Sequence, residues 1–165
     1  MNQNLLGIAI AMPHATAQEI RMDRIQLGAD TRITLLIAGL LFVWALLLGV
    51  WKYHGMRTSP EGHAHPYVDI AHRAALMYSF AALLLAVFVE LSDWPTAVNL
   101  VAALVVLGFF AGAVASYCLH GLRRDTTNQF RGDVGLPLRS AMYALIVCEI
   151  GGFLVPFTGF VHARF

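Results

Sequence analysis

Four apolar stretches, each close to the length needed to cross a bilayer, constrain this chain more than any other feature. A helix covering about 30 Å of hydrocarbon needs about 20 mostly apolar residues, and segments 33–51, 74–91, 97–119 and 141–161 meet that test. The composition agrees: 58% of the residues are hydrophobic and 13% charged, about half the charge of an ordinary soluble domain. The expected fold is therefore all-α, an integral membrane four-helix bundle. It has two parts, a tail at 1–32 and a four-helix transmembrane domain at 33–165.

The ends of the spans carry the residues that prefer a membrane interface. Trp51, Lys52 and Tyr53 close the first,. Arg73 and Glu90 bound the second, and the turn Ser92-Asp93-Trp94-Pro95 separates it from the third,. In the third span Ala111, Gly112, Ala115 and Ser116 form a strip of small residues, the pattern that lets a neighbouring helix approach closely,. The fourth contains Gly151, Gly152 and Pro156, which a membrane helix tolerates when neighbours satisfy the freed backbone,.

Outside the spans the signals are weaker. Residues 5–12 are apolar but too short to span and lack a basic flank, so neither a cleavable signal nor a fifth span is expected,. Segment 17–27 places Ile20, Arg24 and Leu27 at helical spacing, which fits a short interfacial helix or an irregular tail,. The histidine-rich loop 53–69 and the polar loop 120–139 fall on one side of the bilayer. They carry Lys52, Arg57, Arg123, Arg124, Arg131 and Arg139, with Arg73 at the boundary, against Arg21, Arg24, Arg32 and Arg164 on the other side. The bias favours the long loops as cytoplasmic. A net charge of +1 with scattered basic residues supplies no nucleic-acid surface,. Cys118 and Cys148 lie in apolar stretches and read as reduced packing residues,.

Polar groups are costly within a bilayer, so the few that remain are the functional candidates. Pro66 suits the first position of a helix, and His65, Asp69 and His72 then follow at i, i+4 and i+7 on one face,. With His63 this set has the donor types for zinc or iron. The alternative is that His54, His63 and His65 are solvated loop residues and that Asp69 favours a helix N-terminus. His72, among apolar residues, needs a ligand or a hydrogen-bond partner. Tyr117 and His120 share a side of the third helix, and the Tyr117 hydroxyl is deep enough to need a partner. Glu149 stands in the middle of the fourth span without a basic partner, so it is protonated or bonded to another helix, as a structural group or a proton-handling one,.

These residues acquire a common meaning when read in order. Ser59-Pro60-Glu61-Gly62 after the first span, Ala71-His72 entering the second, Tyr78, Tyr117 and Asn128-Gln129-Phe130 in the third loop together resemble the styrene oxide isomerase and hydroxylaminobenzene mutase group. These are small four-helix membrane isomerases, and the resemblance covers roughly 33–130. It implies that His72 binds the iron of haem b, that Tyr117 is the active-site tyrosine and that Tyr78 occupies the position of an active-site asparagine. The Asn-Gly pair of that group is Tyr78-Ser79 here, and Glu149 has no counterpart. The implied chemistry is Lewis-acid activation of an epoxide oxygen by ferric haem, ring opening and a hydride shift to an aldehyde, without net redox change. In the mutase branch the substrate is an aryl hydroxylamine. The resemblance further implies a homotrimer, a small apolar substrate and a bacterial inner membrane.

Three function classes follow: a haem b-dependent isomerase, a zinc or non-haem iron enzyme using His63, His65, Asp69 and His72, and a non-catalytic haem-binding subunit of a larger membrane complex.

Overall fold

Inside hydrocarbon no water is available to bond backbone amides and carbonyls, so an apolar segment closes its own hydrogen bonds as a helix. The computed structural model describes residues 27–131 and 135–165, and among these the only regular elements are four helices. They are α1 (Ala29–Thr58), α2 (Pro66–Leu91), α3 (Thr96–Arg123) and α4 (Leu136–Arg164). Each is long and apolar enough to cross a membrane, and the chain is an integral membrane four-helix protein. The expected interfacial segment 17–27 lies outside the described residues except for Leu27, which precedes α1.

Every helix is longer than its apolar stretch. With 30, 26, 28 and 29 residues, they run about 39–45 Å at 1.5 Å per residue, which carries their ends past the hydrocarbon. Helix α1 begins at Ala29 rather than at residue 33 and continues through Trp51, Lys52 and Tyr53 to Thr58. The expected loop 53–69 is thereby reduced to 59–65, and His54 is a helical residue. On this extended part of α1 Lys52 pairs with α2: its ammonium lies 2.5 Å from Asp69 Oδ1.

Local chemistry sets the ends. Pro66 opens α2 with His65 as its N-cap, and the His65 ring nitrogen Nδ1 accepts the Tyr67 N–H at 3.3 Å,. Ser59-Pro60-Glu61-Gly62 is a tight turn: the Gly62 N–H donates to Ser59 O, and Gly62 sits at φ +70°,. At the opposite end, buried Asn99 ties the α2–α3 turn, accepting from Ser92 Oγ at 3.0 Å and donating to Trp94 O at 3.1 Å. Helix α3 stops at Arg124, whose φ of 52° is left-handed and whose N–H bonds His120 O,.

In lipid the helices are held by close packing and interhelical bonds rather than by release of water. Helix α1 packs along α2 and onto α3, and α4 packs on α3 and α2; α1 and α4 do not meet. The core lies where α1, α2 and α3 converge, in two groups. One centres on Leu41, Leu85 and Leu107, the other on Ala45, Ala71, Ala75 and Val114. Met77, Phe80, Leu47 and Val101 point outward as lipid-facing residues.

The small-residue strip of α3 divides: Ala111 packs against the core, and its other face opens on a cavity. A Cβ at Gly112 would meet nothing within 4 Å, and Gly112 and Ser116 line a cavity rather than a close helix contact. Close approach occurs at Gly152 of α4, where a Cβ would stand 2.5 Å from Val106 Cγ2 and 3.1 Å from Ala102 O. A small residue permits approach, but the bulk opposite it decides whether approach happens.

Candidate functional site

Helix α2 presents its candidate residues to two different neighbours. His72 faces α1, and its Nδ1 lies 2.9 Å from Ala45 O. A carbonyl oxygen only accepts, so Nδ1 carries the hydrogen and Nε2 of the neutral ring keeps its lone pair. Gly49 makes room for this: a Cβ there would stand 3.0 Å from His72 Cε1 and 3.3 Å from Nδ1. Ala45 O is also the helical acceptor for the residue four positions on, which is Gly49. The side chain missing at Gly49 is what lets the imidazole reach that carbonyl. Nε2 makes no hydrogen bond among the described residues.

Tyr78 lies on the other side of α2, against α3. Its ring stacks on Phe110 with centroids 4.3 Å apart and planes 10° apart, and both Tyr78 and Tyr117 pack against the Ala71–Val114 group of the core. The two expected tyrosines therefore share one region, and His72 meets the same core group from its α1 side through Ala45. Tyr117 also forms part of the wall of a cavity of about 470 Å³ between α3 and α4. Gly108, Gly112, Met142 and Leu145 make the rest of that wall largely apolar, with Ser116 and Gln129 as the other polar groups. The volume is in the range of small-molecule sites, about 300–1,000 Å³.

One organising residue lies outside the sequence-derived set. Tyr67, 3% exposed, accepts the Gln129 N–H on its hydroxyl at 2.6 Å. Its ring centroid is 5.0 Å from that of His120 and 6.1 Å from that of Tyr117. The loop containing Asn128-Gln129-Phe130 is thus drawn back over the start of α2, where Gln129 reaches the cavity. The signal was a phenol directly after the helix-opening Pro66, since a buried tyrosine hydroxyl needs a partner. Its partner is a backbone amide 62 positions away, which no local pattern announces.

The alternative metal set is not assembled. Among the described residues no group of three or more His, Cys, Asp and Glu side chains could hold a metal ion. Three members of the expected set have other partners. His65 caps α2, Asp69 pairs with Lys52 and with Arg73, and His72 is bound to α1. His63 lines a separate polar pocket with His65, Glu61 and Arg124. Burial, with the Arg124 charge next, holds the His65 ring below the usual imidazole range, while Asp125 acts in the opposite sense. The Ser59 hydroxyl holds the Glu61 carboxyl below its ordinary range. Cys118 and Cys148 are free thiols.

The donor chemistry of His72 fits a haem ligand. Iron-binding histidines characteristically donate their other ring N–H to a backbone carbonyl or carboxylate, which fixes tautomer and orientation. The His72–Ala45 contact has that form, and Nε2 is the ring nitrogen it leaves without a hydrogen bond among the described residues. Comparison of the chain with family models, curated proteins and solved structures finds no match in any of the three.

Proposed function

We propose that this protein is a haem b-dependent membrane isomerase that rearranges a small apolar aryl epoxide to an aldehyde, or an aryl hydroxylamine to an aminophenol. The observation that carries the reading is the His72 ring, fixed by Ala45 O through Nδ1 and cleared by Gly49, which leaves Nε2 as a donor to iron,. When bound, ferric haem supplies a Lewis acid for a substrate oxygen.

The chain's own residues supply the surroundings. Apolar walls of the α3–α4 cavity hold an aryl group and keep water from an electron-poor carbon, which water would otherwise convert to a diol,. Tyr117 offers its hydroxyl as a hydrogen-bond donor to the substrate oxygen. Tyr78, at the position where the resembled group carries an asparagine, stacks on Phe110 and packs with Tyr117 against one core group. His72 and the cavity occupy different seams of one chain, so the reading includes the homotrimer implied by the resemblance, with the site completed across a subunit boundary. The bilayer proposed for it is a bacterial inner membrane.

The test is an absorption spectrum of the detergent-purified protein with metal analysis and turnover assays. A Soret band is expected in the wild type, in His63→Ala and in His65→Ala, and its loss in His72→Ala. Tyr117→Phe is expected to keep the band and lower turnover on the order of 10²-fold. Zinc or non-haem iron without a Soret band would overturn the reading. Bound haem without turnover of either substrate class would leave a non-catalytic haem-binding subunit instead.

A further inference from the structure

The membrane face at the ends of α1 and α3 holds a second pocket, of about 490 Å³, that the proposed reaction does not use. It forms where the end of α1, the 59–65 loop and the residue after α3 meet, and its wall includes Gly55, Glu61, His63, His65 and Arg124. Gly55 stands four residues past Trp51, about 6 Å along the helix axis. The headgroup layer adds about 5–8 Å to the hydrocarbon on each side, so the pocket begins at the depth of lipid headgroups. Most of its wall is exposed, which leaves it open both to that layer and to water.

The wall carries both signs of charge. Arg124 forms no ion pair among the described residues, and it is the one non-glycine residue described in the left-handed backbone region, at φ 52°. Glycine takes that conformation at a helix end without strain, so the chain holds an arginine where a side chain is unfavourable. The His65 Nδ1 accepts the Tyr67 N–H, which places the ring hydrogen on Nε2 and leaves it to donate. A guanidinium and a ring N–H suit the oxygens of a phosphate. Glu61 supplies the opposite sign: Ser59 Oγ donates to its Oε2 at 2.9 Å, and Oε1 remains as an acceptor. A bare phosphate would meet this carboxylate as a like charge, whereas a phosphate ester with an ammonium group answers both. We propose that the pocket binds a phosphoethanolamine group, its phosphate on Arg124 and His65 and its ammonium on Glu61. The group occurs as a lipid headgroup and as a free phosphomonoester, and the same side chains serve either. A choline group keeps the phosphate but has no N–H for Glu61. This goes beyond the haem reading and does not rest on it, because His72 is not part of the wall.

The experiment follows the His63 and His65 ring signals by NMR in the full chain, labelled at histidine and held in maltoside micelles, which carry no phosphate. Phosphatidylethanolamine is titrated in one arm and free phosphoethanolamine in the other, each against its choline counterpart. A saturable shift of the His65 signal in at least one arm is expected, and the arm that responds identifies the source. The ethanolamine form is expected to bind about fivefold more tightly than the choline form, the size of one exposed ion pair. Arg124→Gln should lose the shift and Arg124→Lys keep most of it. Glu61→Gln should still bind, with the ethanolamine and choline forms brought to equal affinity. An unmoved His72 signal and the helical circular dichroism control for folding in each variant, and His72→Ala should leave the binding unchanged. A shift in neither arm, equal affinity for the two forms in the wild type, or binding that survives Arg124→Gln or vanishes in His72→Ala would overturn the proposal.

Discussion

Glycines line both the α1–α2 seam and the α3–α4 seam, with opposite results. A Cβ at Gly49 would press on the His72 ring at 3.0 Å, whereas one at Gly108 or Gly112 would meet nothing within 4 Å. The first seam is also crossed by polar ties, Lys52 to Asp69 and His72 to Ala45. The second is drawn tight at Gly152 against Val106 and capped by the loop that Tyr67 holds through Gln129; between those points it opens into the cavity. Small residues therefore serve two purposes in one bundle. In the first seam they admit a side chain from the opposite helix, and in the second they leave space for a molecule that is not part of the chain. The first suits a fixed ligand donor, and the second suits a guest.

The sharpest way to break this comparison is to make the same substitution in both seams. Gly49→Val is expected to displace His72, abolish the proposed haem binding and destabilise the fold by about 1–3 kcal/mol, the usual cost of overpacking. Gly112→Val is expected to leave stability within about 0.5 kcal/mol while shrinking the cavity. Denaturation in mixed micelles, run beside the absorption spectrum, reads both; equal losses at the two positions would show that the seams do not differ in this way.

A smaller effect tests how the hollow seam is capped. Tyr67→Phe removes the acceptor of the Gln129 N–H and should cost about 1 kcal/mol. Hydrogen exchange should accelerate over residues 128–131 and not in the α1–α2 seam. Unchanged exchange would mean that the aromatic contacts to His120 and Tyr117 alone hold the loop.

The smallest effect is electrostatic and lies at the exposed end of α3. The His120 ring lies 2.8 Å from Asp125 Oδ1, and this hydrogen bond holds the Asp125 carboxyl below the ordinary carboxylate range. A carboxyl depressed in the folded state stabilises it at pH above the unfolded value, and that contribution is lost as pH falls through the lowered value. Fraying of the α3 C-terminus, followed by exchange of the Arg124 amide, should therefore increase in acid. Asp125→Asn should flatten that dependence, and the cavity-lining part of α3 should not respond.

Much of the architecture was legible because lipid imposes a simple rule: about 20 apolar residues without an interruption become a helix. The four spans, the Pro66 start of α2 and the two free thiols follow from local composition and order. The helix ends were less legible. Trp51, Lys52 and Tyr53 mark the interface but do not end α1, which runs on to Thr58 because interface-preferring residues carry no helix stop,. The candidate residues divide in the same way. His72 and Tyr117 stand out because a polar group in an apolar run is visible as such. Tyr67 does not, since its role depends on a loop 62 positions away.

By itself the sequence determined that the chain spans the membrane four times as helices, and where along each span the polar groups His72, Tyr78, Tyr117 and Glu149 occur. These are one-dimensional consequences of hydropathy and helical rise. Only the tertiary structure decided which neighbour each group faces: His72 toward an α1 carbonyl, Tyr78 toward Phe110 of α3, Tyr117 toward the α3–α4 cavity, and His63 and His65 toward one polar pocket while Asp69 pairs with Lys52. The physical reason is that rotation about a membrane helix axis costs little in hydropathy. The facing of a residue is settled by side-chain volumes on the opposite helix, as Gly49 against His72 and Gly152 against Val106 demonstrate,.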